Sequence, residues 1–160
     1  MITVRPAETH EAAAIARIWE AAWLDGHRGN VPDALIAARG SEYFAARAVD
    51  LLDDTLVAEE SDVILGLVIV RDNELQQLMV SAQARGRGVG RLLIAAAEGL
   101  VAATTATEIW LAVVPGNQSA RRFYEANGWS DLGDEVYHSS TLDGGKVAVP
   151  IRRYAKSLDR

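Results

Sequence analysis

The sequence predicts an α/β fold with a mixed, mostly antiparallel central sheet flanked by helices, in the order β-αα-βββ-α-β-α-ββ. Three observations carry this. Strand-like alternation and helix-like period succeed one another along the chain, with short polar turns between them. A strand, a helix and a second strand follow in succession at 74–80, 88–103 and 109–114, which requires a crossover and hence a parallel pair inside the sheet. Three-residue polar turns, Glu60-Ser61-Asp62 and Arg71-Asp72-Asn73, join the strands around 63–70 as antiparallel neighbours.

In order, residues 2–5 alternate as a short strand that Pro6 ends. Thr9 is placed to cap a helix whose Ile15, Ile18, Trp19, Ala22 and Trp23 share one face. Asp25 to Asn30 reads as a loop. From Pro32 to about Val49 come one or two further helices, interrupted near Arg39-Gly40-Ser41. Strands at 55–59, 63–70 and 74–80 form the meander. The stretch 88–103 turns Val89, Leu92, Leu93, Ala96 and Leu100 to one side. Residues 109–114 are continuously apolar, the pattern of a strand buried on both faces. Residues 117–127 are helical and Gly128 closes them. Strands at about 135–141 and 146–152 flank Asp143-Gly144-Gly145, a hairpin turn signal.

A chain of 160 residues suits one domain, 1–160, that buries a core without staples. The formal charge of −6 argues against a basic nucleic-acid face. Having no cysteine excludes disulfides, thiolate zinc sites and an acyl-cysteine intermediate. Charges or glycines interrupt every apolar run before membrane-spanning length, and no basic segment leads into an apolar one at Met1. A cytoplasmic monomer or homodimer without nucleic-acid or membrane partners is the expectation. His10, His27 and His138 are scattered without ligand spacing, so no metal is expected. The G-x-S-x-G elbow of serine hydrolases is missing.

The most informative segment is Arg85-Gly86-Arg87-Gly88-Val89-Gly90, between a strand and a helix. Glycines admit close approach and positive φ, a helix start offers free N–H groups, and Arg85, Arg87 and Arg91 add donors suited to phosphate. A P-loop needs Gly-Lys-Ser/Thr, whereas Gly90 is followed by Arg91-Leu92. A dinucleotide fingerprint needs G-x-G-x-x-G after the first strand. Neither matches, and the remaining readings are an anion-binding turn or a plain turn with solvated arginines.

The spelling Arg85-x-x-Gly88-x-Gly90 resembles the Q/R-x-x-G-x-G/A signature of the GCN5-related N-acetyltransferases (the GNAT family). The resemblance continues upstream through Glu74-Leu75-Gln76-Gln77-Leu78-Met79-Val80, similar to the family's fourth strand. Downstream, Val114-Pro115-Gly116-Asn117-Gln118-Ser119-Ala120-Arg121-Arg122-Phe123-Tyr124 and the step Gly128-Trp129 are similar to its fifth strand, Asn-x-x-Ala helix start and tyrosine. It implies the acyl-CoA N-acyltransferase fold and acetyl-CoA as cosubstrate. Around CoA it implies Leu78, Met79, Val80, Arg85, Gly86, Arg87, Gly88, Val89, Gly90, Arg91, Asn117, Ser119, Ala120, Arg122 and Tyr124.

Acetyl transfer from a thioester needs a deprotonated amine, an oxyanion donor and a proton for the leaving thiolate. The resemblance gives the last role to Tyr124, although a tyrosine beside Phe123 also reads as core. It gives the oxyanion to a backbone N–H near Met79 and Val80, and base duty to Glu74, directly or through water. Asn117 reads as a helix cap and, by resemblance, as a CoA contact. Simple alternation puts Glu74, Gln76, Leu78 and Val80 on one face of their strand and Leu75, Gln77 and Met79 on the other. Asp25, His27 and Arg28, with Trp23, Tyr43, Tyr137 and His138, are candidates for the acceptor wall. The net acidity favours a cationic acceptor. The expected reaction is transfer of acetyl from acetyl-CoA to the primary amine of a small molecule, by direct attack in a ternary complex. Alternatives are a protein lysine or N-terminal amine as acceptor, or a CoA-binding module without turnover.

Overall fold

The computed structural model describes residues 1–158. Its strands are β1 (Thr3–Pro6), β2 (Thr55–Glu60), β3 (Val63–Arg71), β4 (Glu74–Val80), β5 (Glu108–Val113), β6 (Ser130–Ser140) and β7 (Lys146–Ser157). Its helices are α1 (Ala12–His27), α2 (Asp33–Ala38), α3 (Ser41–Asp50), α4 (Val89–Ala102) and α5 (Gln118–Ala126). The strands form one sheet in the order β1-β2-β3-β4-β5-β7-β6, with β4–β5 parallel and every other pair antiparallel. The mixed, mostly antiparallel sheet between helices is the fold expected from the sequence.

Leu65 to Val70 on β3 are all buried, because helices cover both faces at the centre of the sheet. One face packs on Leu93, Ile94, Ala97 and Val101 of α4 and Tyr124 of α5. The other packs on Ile15, Trp19 and Trp23 of α1 and Phe44 of α3. Gly66 lets α4 close onto the sheet: a Cβ there would lie 2.8 Å from the Met79 carbonyl oxygen and 3.1 Å from the Leu93 and Val89 side chains.

Several expectations are corrected. Thr9 does not cap α1; it lies in a 3₁₀ turn (Thr9–Glu11), and Glu11 precedes the helix. The Glu11 carboxylate takes both ends of the Arg5 guanidinium, at 2.9 and 2.7 Å, and the Glu8 N–H at 2.8 Å, which fixes the chain entry. Asp25, Gly26 and His27 are the last turn of α1 rather than a loop. His27 stacks on Trp23 at 4.5 Å and its Nδ1 bonds the Trp23 carbonyl at 2.8 Å, which prolongs the helix. Pro6 belongs to β1, where an outer edge strand has no ladder bond for it to break. Only alternate residues of β5 are buried, because Trp110 sits under Arg153 at 4.0 Å instead of under a helix. Strands β6 and β7 are longer than expected and absorb Asp131/Gly133 as an irregularity.

Two departures position the site. The parallel pair is made at Glu74↔Trp110 alone, with Trp110 N–H donating to the Asn73 carbonyl at 3.0 Å. Beyond it β4 and β5 share no further ladder pair. Second, β4 bulges: Ile69 faces Gln77 while Val70 faces Leu75, leaving Gln76 as the extra residue. Simple alternation therefore fails there. Leu75 packs in the α4 layer with Leu78 and Val80, whereas Glu74 reaches Tyr137 of the α1 layer, in which Met79 also packs.

Candidate active site

Where β4 and β5 part, a cleft of about 1000 Å³ opens, walled by α1, α3, α4, α5 and the far half of β6. At one end lies the turn before α4. Gly86 and Gly88 both take φ of +80°, and a Cβ on either would meet nothing within 4 Å. The turn is thus a left-handed, open surface of backbone rather than a packed one. Gly88 precedes α4, whose first three amides, of Val89, Gly90 and Arg91, have no partner within the helix. Gly90 has a packing reason, since a Cβ there would come 3.2 Å from the Phe123 ring.

Gly86, Gly88, Val89, Gly90, Arg85 and Arg91 all line the cleft, as do Leu78, Met79 and Val80 of β4. Arg85 also pairs with Asp25 at 2.9 Å. Arg87 is turned to Glu60 at 2.5 Å, and neither it nor the exposed Arg122 is part of the lining.

Asn117, Ser119, Ala120 and Tyr124 form the middle. Asn117 caps α5, its Oδ1 accepting the Ala120 N–H at 3.2 Å. Its Nδ2 stands 2.7 Å from where a Gly26 Cβ would be, so α1 and α5 meet across this amide. Tyr124 packs against Phe123, Trp129 and Tyr154 at ring distances of 5.5, 5.8 and 6.2 Å and is 7 % exposed. It is both a core residue and a cleft residue. Its hydroxyl bonds to no described residue. Burial holds the phenol well above its ordinary pKa, hence protonated.

At the far end, Glu74 accepts the Tyr137 hydroxyl at 2.9 Å and the Gln76 amide at 3.4 Å. Burial and the neighbouring Glu74 push Tyr137 up to about 12, so it stays a donor. Arg39 lies over the rings of Trp23 and Tyr43, at 4.9 and 4.5 Å, and donates to the Ser140 carbonyl at 3.0 Å. Arg47 completes this wall, and its Nε is buried without a partner. Burial, opposed in part by the Trp23 carbonyl, lowers His27 to about 4, leaving it neutral. Asp25, His27, Tyr137 and His138 line the cleft as anticipated; Arg28 does not.

Sequence reasoning missed Arg39 and Arg47. Their signal was spacing: Arg39, Tyr43 and Arg47 recur every four residues, and Arg47 falls on the face that Phe44 and Ala48 bury. The gathering of Glu8, His10 and Glu11 was also missed, because it needs the turn before α1. Arg5 occupies both Glu11 oxygens there.

No curated protein matches the sequence significantly. Solved structures do match in fold. The GCN5-related N-acetyltransferase of Rhodopseudomonas palustris is 25 % identical, with a TM-score of 0.75 over 98 % of this chain and 95 % of that one. The yncA protein of Salmonella typhimurium, solved with its cofactor acetyl-CoA, is 18 % identical, with a TM-score of 0.72 over 100 % and 95 %. The PaiA N-acetyltransferase of Thermoplasma acidophilum, in complex with coenzyme A, is 16 % identical, with a TM-score of 0.69 over 98 % and 99 %. The acetyltransferase (GNAT) family model matches residues 13–129, a span that takes in α1, the parted strands, the glycine turn and Tyr124. Sequence and fold agree on that span, and the chain belongs to the acetyltransferase (GNAT) family.

Proposed function

We propose that this protein is an acetyl-CoA-dependent N-acetyltransferase that acetylates the primary amine of a small molecule by direct attack in a ternary complex. The observation that carries the reading is the parting of β4 and β5, with an open glycine turn at one end, Glu74 at the other and Tyr124 between. The residues present fit the cosubstrate. Gly86 and Gly88 leave a surface that side chains would fill, and the amides of residues 89–91 with Arg85 and Arg91 suit a pyrophosphate. Beyond Glu74 the free edge of β4 offers backbone groups that an extended arm pairs with as a strand would.

Bound there, acetyl-CoA supplies the acyl group: the amine nitrogen bonds to the thioester carbon, the carbon–sulfur bond breaks, and the sulfur leaves with its electron pair. The protein handles two protons. Glu74, oriented by Tyr137 and Gln76, takes the one that the amine must lose, directly or through water. Tyr124, kept protonated by burial, gives one to the departing sulfur. A backbone N–H near Met79 and Val80 steadies the oxyanion.

A panel of small amines and lysine peptides, scored for free thiol with acetyl-CoA, tests this. Release with small amines supports the proposal. Release with peptides alone would move it to protein acetylation. Acetyl-CoA binding without release would make the chain a regulatory module.

A further inference from the structure

The acceptor end holds two guanidinium groups that no acidic side chain pairs with among the described residues. Arg39 is 8 % exposed and its partners are neutral: two aromatic faces and the Ser140 carbonyl. Arg47 has a buried Nε with nothing to donate to. Neither makes an ion pair with an acidic side chain among the described residues. Burial and then the like charge of Arg47 work against the charge on Arg39. Packing accounts for Arg39 alone, since a guanidinium stacks well on aromatic rings. It does not account for Arg47, because an unsatisfied buried donor on a charged group is costly and rare.

The surroundings point the same way. Of the other cations on the cleft, Arg85 is paired with Asp25 and Arg71 with Asp54, and Arg91 lies at the opposite end, on the glycine turn. Lys146 also lines the cleft, unpaired. Across from this wall the carboxylate of Glu74 is held by Tyr137, whose hydroxyl lies within the influence of Arg47. An otherwise acidic chain therefore gathers positive charge at the acceptor end and sets a lone carboxylate beside it.

We propose that the acceptor is an amino acid or a close relative: a small molecule whose amine goes to Glu74 while its carboxylate goes to Arg47 and Arg39. A carboxylate matches the planar fork of a guanidinium with two parallel hydrogen bonds, and it neutralises the wall. The inference rests on the acetyl-transfer reading above and narrows it. It also reverses the expectation that net charge raised, since the local charge that an acceptor meets is opposite in sign to the total.

The test is thiol release from acetyl-CoA with L-α-amino acids, β-alanine and γ-aminobutyrate, each beside its carboxamide, and with a polyamine and a lysine peptide as controls. Acids are expected to exceed their amides in kcat/KM by at least ~10-fold, the scale of one charge-assisted contact. In Arg47→Gln the advantage shrinks through a raised KM for the acid, and Arg47→Lys restores part of it. Should the variants not fold, as a thermal melt would show, the wild-type ratio decides. Amides accepted as well as acids, or turnover confined to the polyamine or peptide, would overturn the inference and leave acetyl transfer standing. No thiol with any amine would take down both.

Discussion

At one end of the cleft the chain presents backbone: two left-handed glycines and the leading amides of α4, within seven consecutive residues, 85–91. At the other it presents side chains carried in from four elements: Trp23 and His27 from α1, Tyr43 and Arg47 from α3, Glu74 from β4 and Tyr137 from β6. The difference is one of construction. A backbone site needs only a local spelling, because glycine placement and a helix start produce it wherever they occur together. A side-chain site exists only once the sheet has assembled. The first kind suits a constant partner, the second a variable one.

Tyr124 stands on the border between the ends, so its replacement sharpens the comparison most. Tyr124→Phe keeps the ring against Trp129 and Tyr154 and removes only the hydroxyl that would give the proton. A fall in kcat of ~100- to 10,000-fold is expected, with little change in Tm or in acetyl-CoA affinity. Steady-state kinetics beside a thermal melt checks it, and an unchanged kcat in a folded variant would return Tyr124 to the core alone.

Gly88→Glu attacks the backbone end. It sets a negative charge at the amides and forces a side chain into φ +80°. Acetyl-CoA affinity measured calorimetrically should drop at least ~10-fold. Gly88→Ala carries the strain without the charge, at about 1 kcal/mol, and separates the two causes. If Gly88→Glu instead raised only the acceptor KM, the division between the ends would be broken.

The smallest effect belongs to the acceptor end and to pH. Folded His27 resists protonation down to about 4, whereas the unfolded side chain titrates near 6.5. Above 6.5 both states are neutral and nothing is lost. Between 6.5 and 4 the unfolded chain takes up a proton that the folded one refuses, so stability falls, by about 1–3 kcal/mol in total. His27→Phe keeps the stacking on Trp23 and removes the titration. Denaturant melts across that window should show a smaller acid loss in the variant, and parallel curves would deny the burial.

The same contrast decides how much could be read in advance. The glycine turn and the cap at Asn117 are local properties that the spelling from 74 to 129 carried, and the order of elements followed from periodicity and turn signals along the chain. The bulge at Gln76 is not local: it arises from how Val70 and Leu75 pair, and it moved Glu74 to the other face. The end of α1 depended on the stacking of His27 on Trp23, which a loop-like Asp25-Gly26 concealed. Arg47 went unnoticed because an arginine on a short helix normally faces water; its spacing from Phe44 and Ala48 hinted otherwise, and the tertiary fold is what buries its Nε.

The sheet order has a consequence for synthesis. Strand β7 follows every other in sequence yet lies inside the sheet, between β5 and β6. While residues 108–140 have left the ribosome and 146–157 have not, β5 keeps an open edge and β6 has no neighbour at all. Tyr137, brought to Glu74 by the β6–β7 hairpin, stays away until then. The nascent chain can shape its backbone end early, but the side-chain end waits for the last strand, and pairings this distant in sequence form slowly.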